Sequence, residues 1–261
     1  MHRDVNPKKF LGQHFLIDDN ISKKIVEAIN FKKFKKVIEV GPGKGALTKH
    51  LLHVKDILTL IEVDKESVEF LNIEFQKEKL NIIEADFLKF DIGSTYPSEK
   101  DILIIGNFPY NISSQILFKS IDNYKSVSGL IGMFQKEVAE RIISKNNCKQ
   151  YGILSVKTQL FYDAKILFNV SPNVFFPKPN VDSAVISLTR KENLTIDCDL
   201  DLLDKVIKLS FQQRRKKIKN SLKRLDIQEN ILEDSIFELR PEQLTIEEFV
   251  KLTKKISDET I

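Results

Sequence analysis

Cysteine is scarce in this chain. The 261 residues include two cysteines, Cys148 and Cys198, which lie far apart and in no recognisable pattern. The sequence therefore indicates neither a disulfide framework nor a zinc site. The histidines also lack metal-ligand spacing with a cysteine: they are His2, His14, His50 and His53. We expect a protein that needs no metal.

Long apolar runs are absent as well. No segment reaches the roughly 18 consecutive apolar residues that a transmembrane helix requires. Residues 1–10 are polar, which argues against a secretory signal. We expect a soluble, cytoplasmic protein with no membrane partner. No internal repeat or low-complexity segment is visible.

The chain does have enough apolar sequence for a core, and its positive charge is segregated. Hydrophobic residues make up 42% and charged residues 30%, which indicates one large domain or a medium domain plus a small one. Nine Lys or Arg residues and no acid lie between Lys205 and Arg224, whereas acids outnumber bases by ten to four from Leu225 to Ile261. Such segregation favours a phosphate-binding surface. Solvated lysines in a lysine-rich chain explain it equally well.

Short apolar runs alternate with helical patterns over the first two thirds of the chain. Runs typical of buried strands lie at 37–40, 57–63, 80–84, 101–106, 129–134, 164–167 and 184–189. Helical spacing occurs at 20–30, 46–53, 67–76, 113–120, 135–144 and 152–161. This alternation predicts a mostly parallel sheet that binds ligands beyond the carboxyl ends of its strands. From Asp199 onward the pattern is helical only, and we expect domains at 1–194 and 195–261.

A glycine-rich loop, Glu39–Gly45, follows the first predicted strand. Gly41 and Gly43 would let the backbone turn sharply and approach a ligand, although an ordinary strand-to-helix turn explains the loop alone. Glu62 follows Gly41 by 21 residues, at the end of the second strand, where a carboxylate can accept hydrogen bonds from ribose hydroxyls. Asp86 follows the third strand and could accept from an adenine amino group.

The loop and its leading acid favour one class of cofactor. A pyrophosphate binder uses G-x-G-x-x-G, whereas this loop is G-x-G-x-G after an acid. An ionised Glu39 near the loop would repel a pyrophosphate and would suit a cationic sulfonium or ammonium group. We therefore expect S-adenosylmethionine rather than NAD.

The most specific segment is Gly106–Tyr110, with the sequence G-N-F-P-Y. The adenine N6 lone pair is delocalised into the ring, so this nitrogen is a poor nucleophile. The Asn107 side chain and the Pro109 backbone carbonyl could accept its two N–H bonds and make the lone pair more available. Tyr110 offers a flat face to an extruded base, worth about 1–3 kcal/mol. A β-turn with a buried aromatic residue is the alternative explanation.

A second pair of aromatic residues lies in the segment 175–183. Phe176 could close over the base from the side opposite Tyr110, or it could fill core; the two interpretations are balanced. For Phe175 we expect a place in the core. The candidate catalytic residues are Asn107, Pro109, Tyr110 and Phe176.

At these residues the chain resembles the ribosomal RNA adenine dimethyltransferase family, and within it the small-subunit enzymes. The likeness spans nearly the whole chain and is highly specific. Its segments are Lys9–Leu16, Glu39–Gly45, Ile61–Asp64, Asn107–Tyr110, Gln135–Val138, Tyr151–Val156 and Phe176–Val185. The resemblance implies an α/β protein with a Rossmann-like methyltransferase fold, a mostly parallel seven-stranded sheet and a small C-terminal all-α domain.

The resemblance also implies an activity. S-adenosylmethionine would donate methyl groups to N6 of two adjacent adenosines near the 3′ end of small-subunit (16S) ribosomal RNA, with a role in small-subunit biogenesis. The expected step is an in-line displacement without a metal or a general base, with the proton lost to water. Together with Gly43 of the loop, the implied cofactor-binding residues are His14, Leu16, Gly41, Glu62, Asp86 and Asn107.

Two positions depart from the family pattern. His14 stands where Asn is common, and it can still use backbone groups and a ring nitrogen. Phe108 stands where Leu is common, and we expect it to tighten the pocket and so to restrict the fit of the second methyl group.

The basic segment Phe211–Asn220 is expected to lie on a helix of the second domain and to contact RNA. A solvated helix is the alternative explanation. The candidate RNA-binding residues are Arg214, Arg215, Lys216, Lys217 and Lys219. We expect the small ribosomal subunit and its rRNA as partners, no DNA, and a monomer.

Other functions share parts of this pattern. Large-subunit methylases of the resistance type and mitochondrial transcription factor relatives share the chemistry, although the segments 151–156 and 177–185 fit the small-subunit branch better. A DNA adenine methyltransferase would need an added DNA-recognition domain, and none is visible. An assembly factor without catalysis would need the basic segment alone. A small-molecule methyltransferase would need the glycine loop alone.

Overall fold

The computed structural model of the protein describes residues 5–192 and 194–258. Residues 1–4, 193 and 259–261, which the expected domains include, lie outside the described residues. The described chain divides into two compact units. The first unit comprises the residues up to Ala139 together with Ala164–Arg190, and the second comprises Glu140–Asp163 and the residues from Lys191 onward.

The second unit is larger than the C-terminal domain expected at 195–261. It includes the segment 140–163, because the helix Ile153–Phe161 packs against the helices Leu200–Gln212 and Ile246–Asp258. Helical spacing in a sequence marks which face of a helix is buried, but not which partner buries it. The sequence pattern therefore predicts this helix without assigning it to its unit.

The described residues form nine strands. In chain order they are β1 (Phe15–Leu16), β2 (Lys36–Val40), β3 (Leu58–Glu62), β4 (Asn81–Glu84), β5 (Ile102–Asn107), β6 (Val127–Gln135), β7 (Tyr162–Val170), β8 (Phe175–Phe176) and β9 (Ser183–Arg190). Seven strands form one sheet in the order β4-β3-β2-β5-β6-β9-β7, in which β2 to β6 run parallel and β9 runs antiparallel to β6. The expected mostly parallel, seven-stranded sheet is confirmed. β1 and β8 form a separate antiparallel pair.

Helices connect these strands and make up the C-terminal part of the described chain. The α-helices are α1 (Asp19–Glu27), α2 (Thr48–Leu51), α3 (Lys65–Glu74), α4 (Ile92–Thr95), α5 (Ser113–Asp122), α6 (Lys136–Ile143), α7 (Ile153–Phe161), α8 (Leu200–Gln212), α9 (Ile218–Ser221), α10 (Glu229–Leu232) and α11 (Ile246–Asp258). Short 3-10 helices lie at Lys9–Leu11, Phe31–Lys33, Leu52–Ile57, Gln76–Glu78, Pro172–Val174, Ser235–Glu238 and Pro241–Gln243. No helix within the described ranges has both the length and the apolar character needed to cross a membrane.

The central strands are apolar because both faces of the sheet are covered. Val37 and Ile38 of β2 and the run Ile102–Ile105 of β5 are all fully buried. Buried parallel strands consist of continuous apolar runs rather than of alternating residues, which is why these runs could be recognised in the sequence. Their carboxyl ends lie side by side at one edge of the sheet, where polar residues follow.

The basic segment Phe211–Asn220 does not lie on one continuous helix: residues 213–217 are not helical, and for them the expectation is wrong. α8 ends at Gln212 and α9 begins at Ile218, so four of the five candidate RNA-binding residues lie in the connection 213–217, and only Lys219 is helical. Between Phe211 and Ile218 no apolar residue is available for burial. A helix through this stretch would bury nothing and would place like charges three and four residues apart. We call residues 213–219 the basic loop; its last two residues, Ile218 and Lys219, begin α9.

Candidate active site

Four neighbouring strands end at the same edge of the sheet, and their tips line one cleft of about 220 Å³, the strand-tip cleft. Gly41 follows β2, Glu62 ends β3, Asp86 follows β4 and Asn107 ends β5; all four line the cleft. Parts of the N-terminal segment, including His14, and the residues Pro109 and Tyr110 complete the lining. The structure thus brings these predicted residues together in one place.

The loop after β2 requires glycine for two reasons. Gly41 and Gly43 have positive φ angles of 66° and 54°, a conformation that L-residues with a side chain rarely adopt. A Cβ atom on Gly43 would also lie 2.8 Å from the ring of Phe15, closer than atoms pack. The backbone of this loop, rather than its side chains, therefore borders the cleft.

Glu62 is held almost entirely by the backbone. The residue is 4% exposed, and its carboxylate accepts hydrogen bonds from the N–H groups of Gly43 at 3.0 Å and of Val63 and Asp64 at 2.9 Å each. Burial raises the pKa of Glu62, and these hydrogen bonds partly offset the rise. The carboxylate is fixed beside the glycine loop, where it can accept bonds from hydroxyl groups of a ligand.

Asp86 lines the cleft together with apolar side chains. One of its carboxylate oxygens accepts the N–H of Leu88 at 2.9 Å, which fixes the turn after β4. Val63, Phe87 and Leu88 line the same cleft, and Val63 is 52% exposed although it is apolar. An exposed apolar side chain and a fixed carboxylate in one cleft suit a flat ring that carries an amino group.

A second cleft adjoins the first, and we call it the adjacent cleft. Three residues border both clefts: Phe15, Gly41 and Asn107. Two predicted site residues, Leu16 and Phe176, border the adjacent cleft rather than the strand-tip cleft. Phe176 is 60% exposed on β8, whereas its neighbour Phe175 is buried in the core, as expected.

Glu39, the acid before the glycine loop, differs from the expectation. It is 1% exposed, accepts a hydrogen bond from the Thr48 hydroxyl at 2.8 Å and borders the adjacent cleft. Burial raises the pKa of Glu39 to about 8, so the carboxyl is mostly protonated at pH 7 in the ligand-free chain. Burial therefore weakens the argument that a negative charge on Glu39 repels a pyrophosphate.

Asn107 is oriented by a hydrogen bond that only its nitrogen can make. Its Nδ2 donates to the backbone carbonyl oxygen of His14 at 2.8 Å. Since a carbonyl oxygen can only accept, the amide nitrogen must face His14, and Oδ1 is the atom left to accept from a ligand. This orientation allows Asn107 to accept an N–H from an amine.

The following residues provide a second acceptor and an aromatic face. The Pro109 carbonyl accepts the N–H of Ile112 at 3.1 Å, so a bond to a ligand would use its second lone pair. The Tyr110 ring stacks against the His14 ring, and its hydroxyl lies 2.5 Å from Oγ of Ser183. Burial raises the pKa of the Tyr110 hydroxyl, which therefore stays protonated. Tyr110 is held both at its face and at its hydroxyl.

Phe108 lines the cleft, but its ring packs against the sheet and is 1% exposed. A Cβ atom on Gly106 or Gly132 would lie 2.6 Å or 2.1 Å from this ring, and Phe134 meets it edge-on with centroids 5.4 Å apart. Two glycines on β5 and β6 therefore provide the room that a phenylalanine needs at this position.

The N-terminal segment is tied to the cleft by contacts that no local pattern indicates. Asp64, which is 3% exposed, pairs with Nζ of Lys8 at 2.5 Å and accepts hydrogen bonds from Gln13 at 3.3 Å and from Ser67 at 3.1 Å. Burial alone would raise the pKa of Asp64, but these hydrogen bonds outweigh it and the pKa is lowered. We call residues 8–14 the N-terminal strap. The sequence offers one indication of this contact: Lys8 lies beside the segment Lys9–Leu16 and Asp64 lies in Ile61–Asp64, and both segments resemble the dimethyltransferase family.

In the second unit, acids pair with several of the basic residues expected to bind RNA. Lys217 and Lys219 both pair with Glu238, and the distance from Nζ of Lys217 is 2.5 Å. These hydrogen bonds lower the pKa of Glu238 to about 2, so it is ionised at neutral pH. The two lysines therefore share one carboxylate.

The other residues of the basic loop differ from one another. Arg214 donates to the Cys148 carbonyl at 3.1 Å and lies 3.9 Å from the Glu242 carboxylate. Arg215 and Lys216 are exposed. Across residues 5–192 and 194–258, no group of three or more His, Cys, Asp or Glu residues is placed to hold a metal.

The chain is similar to known proteins over nearly its whole length. The sequence profile of the ribosomal RNA adenine dimethylase family matches residues 5–257. A protein from Flavobacterium johnsoniae named ribosomal RNA small subunit methyltransferase A is 51% identical over 97% of this chain and 96% of its own length. A protein of the same name from Parabacteroides distasonis is 47% identical over 96% of this chain and 94% of its own length.

Solved structures show the same fold. A dimethyladenosine transferase from Plasmodium falciparum has a TM-score of 0.80 and 25% identity, covering 95% of this chain and 99% of that one. The 23S rRNA methyltransferase ErmE has a TM-score of 0.67 and 25% identity, covering 93% of this chain and 99% of that one. The expected Rossmann-like methyltransferase fold is confirmed. From the profile match and these relatives, the chain belongs to the ribosomal RNA adenine dimethylase family and is a methyltransferase.

Proposed function

We propose that the chain transfers methyl groups from S-adenosylmethionine to N6 of two adjacent adenosines near the 3′ end of small-subunit (16S) ribosomal RNA, with a role in small-subunit biogenesis. The observation that carries this proposal is the meeting of Gly41, Glu62, Asp86 and Asn107 in the strand-tip cleft. The relatives named ribosomal RNA small subunit methyltransferase A support the choice of the small subunit, because they are more similar to this chain than the 23S enzyme is.

The residues of the strand-tip cleft fit the parts of S-adenosylmethionine. Glu62, fixed by three backbone N–H groups, is suited to the ribose hydroxyls, and Asp86 to the adenine amino group. The exposed side chain of Val63 offers an apolar face to the adenine ring. When bound, the cofactor supplies an electrophilic methyl group on a sulfonium. The other residues that we propose for cofactor binding are His14, Leu16, Gly41, Gly43 and Asn107.

The groups of the chain make the adenine amine a better nucleophile. Oδ1 of Asn107 would accept one N–H of N6 and the Pro109 carbonyl the other, which would localise the lone pair on nitrogen. The sulfonium would supply the methyl group, S-adenosylhomocysteine would leave, and the N6 proton would pass to water. Tyr110 from the strand-tip cleft and Phe176 from the adjacent cleft would stack on a base held at Asn107, which borders both clefts. Each stacking contact would be worth about 1–3 kcal/mol. After the first methylation the amine keeps one N–H, which either acceptor can still hold. The same acceptors therefore serve both transfers.

The second unit is proposed to bind rRNA through the basic loop. Cationic side chains that neutralise phosphates release counterions, so this part of the binding should weaken as salt rises. The residues proposed for these contacts are Arg214, Arg215, Lys216, Lys217 and Lys219. We further propose that the protein acts as a monomer on the small subunit and its rRNA, and that DNA is not a substrate.

The proposal is tested by supplying methyl-labelled S-adenosylmethionine to the protein with unmethylated small subunits. Mass spectrometry of nuclease fragments then locates the label. We expect N6,N6-dimethyladenosine at two adjacent positions near the 3′ end of 16S rRNA. Label in 23S rRNA, DNA, protein or a small metabolite, or no label at all, would reject the proposed substrate.

A further inference from the structure

His14 contacts three parts of the proposed base site at once. Its backbone carbonyl accepts the hydrogen bond that orients Asn107, and its ring stacks against Tyr110 with centroids 5.5 Å apart and planes at 27°. Its Nδ1 lies 2.6 Å from the backbone carbonyl oxygen of Pro177, the residue after Phe176. One residue thus joins the N-terminal strap, the G-N-F-P-Y segment and the chain beside Phe176.

The contact between His14 and Pro177 continues the β1–β8 pair by one position. In that pair Phe15 lies opposite Phe176, so His14 lies opposite Pro177 in the same antiparallel register. Proline has no N–H, and the ladder cannot continue with a bond donated by its backbone. The imidazole side chain uses the Pro177 carbonyl instead. A short strand pair therefore ends in a side-chain hydrogen bond located beside the base site.

This arrangement fixes the His14 ring before any base is bound. A carbonyl oxygen can only accept, so Nδ1 carries the hydrogen and donates it to Pro177. The stacked ring of Tyr110 limits rotation from the other side, and Tyr110 is itself held by the fully buried Ser183. Because the His14 and Tyr110 side chains are ordered before a base binds, they lose no further conformational entropy when they contact it.

We propose that His14 is a positioning residue for the target adenine in addition to any contact with the cofactor. By joining Tyr110 to the chain that carries Phe176, its ring sets the separation of the two aromatic faces between which the base is held. A slot of fixed width keeps N6 in line with Oδ1 of Asn107. The ligand class is an unstacked 6-aminopurine of RNA, and the inference rests on the proposed function.

Three substitutions separate the contributions of the ring. His14→Ala removes the ring but keeps the backbone carbonyl that orients Asn107. His14→Phe keeps an aromatic face without the N–H, and His14→Asn keeps an N–H donor without the stacking. We expect His14→Ala to lower kcat/KM for unmethylated small subunits about tenfold, and each of the other variants to restore part of the loss. In all three variants the loss of kcat/KM for the small subunit should exceed any rise in the Kd for S-adenosylmethionine, because the backbone groups of residue 14 are kept.

Two comparisons decide the outcome. His53→Ala, which removes an exposed histidine outside both clefts, is the matched control and should leave every parameter unchanged. The inference is overturned if His14→Ala leaves kcat/KM for the small subunit unchanged or raises it, or if a rise in the Kd for S-adenosylmethionine accounts for the whole loss. The wild-type protein separates this inference from the proposed function. Absence of methyl transfer by wild type rejects the function together with the inference, whereas normal transfer with an unaffected His14→Ala variant rejects the inference alone.

Discussion

The strand-tip cleft and the basic loop hold their functional groups in opposite ways. In the cleft, Glu62 is 4% exposed and receives three backbone N–H bonds, and Asn107 is oriented by a backbone carbonyl. In the basic loop, Lys217 and Lys219 pair with Glu238, and all three side chains are about half exposed. Groups held by the backbone keep their positions as salt rises, whereas exposed ion pairs contribute little and are screened. Under the proposed function, catalysis would depend on fixed groups and RNA binding on exchangeable charges.

The largest effect should come from Asn107→Ala in the cleft. Loss of the oriented Oδ1 removes an acceptor from the reacting amine, and we expect kcat to fall about 100- to 1000-fold, as when one preorganised polar group is removed from an active site. The melting temperature should change little, because the side chain makes one hydrogen bond across the cleft edge. Asn72→Ala, which removes an exposed amide from α3, is the control. Near-normal turnover by Asn107→Ala would reject its assigned role.

The N-terminal strap is the next place where the comparison can be tested. Lys8→Ala removes the cation that pairs with the nearly buried Asp64, and we expect the KM for S-adenosylmethionine to rise about tenfold with kcat little changed. Lys55→Ala breaks the more exposed pair with Glu78, whose atoms lie 2.9 Å apart, and should have no effect. Steady-state kinetics with saturating small subunits measures both. Equal KM values for Lys8→Ala and Lys55→Ala would show that burial of the paired carboxylate does not determine the effect on cofactor binding.

Glu39 predicts a pH dependence of stability in the ligand-free chain. Its pKa is about 8 in the folded state against an ordinary value of 4.5, so folding favours the protonated carboxyl. The stabilisation is full below pH 4.5 and is lost as pH rises toward 8, by at most about 1.4 kcal/mol per pH unit. Glu39→Gln stays neutral and can still accept from Thr48, so it should remove this slope. Urea unfolding of the wild type and of Glu39→Gln between pH 5 and 8 measures the free energy of unfolding at each pH. If this free energy changes with pH in the same way in both proteins, the pKa assigned to Glu39 is contradicted.

The smallest effects should occur in the basic loop, and they should differ between its residues. Arg215→Ala or Lys216→Ala should weaken binding to the small subunit severalfold and reduce the salt slope by about one. Lys217→Ala should cost less, because Lys217 already pairs with Glu238. Glu238→Gln should strengthen binding, since it releases two lysines for phosphate. The Kd for the small subunit, measured over a range of salt concentrations, checks all four variants. Equal losses of affinity for Arg215→Ala, Lys216→Ala and Lys217→Ala would contradict the predicted difference between paired and unpaired cations.

The parts of the site that could be predicted from the sequence are those in which chain order determines position. Apolar runs such as Ile102–Ile105 indicate buried parallel strands, and neighbouring parallel strands end at a common edge. Gly41, Glu62, Asp86 and Asn107 follow such runs, so their meeting could be inferred without coordinates.

The parts that could not be predicted depend on distant partners or on burial. Lys8 meets Asp64 from 56 residues away and His14 meets Pro177 from 163 residues away, and neither distance leaves a local pattern. The protonation of Glu39 depends on complete burial, which its sequence neighbours do not reveal. Residues 213–217 of the basic loop have helical neighbours on both sides, but the lack of apolar residues in this connection outweighs them.

The most direct measurement is a crystal structure of the protein with S-adenosylhomocysteine and adenosine bound together. We expect the ribose hydroxyls of the cofactor product within hydrogen-bonding distance of Glu62, its adenine amino group at Asp86, and N6 of the separate adenosine at Oδ1 of Asn107. A cofactor product whose ribose lies away from Glu62, or an adenosine that does not reach Asn107, would contradict the assignment of the strand-tip cleft as the methyl-transfer site.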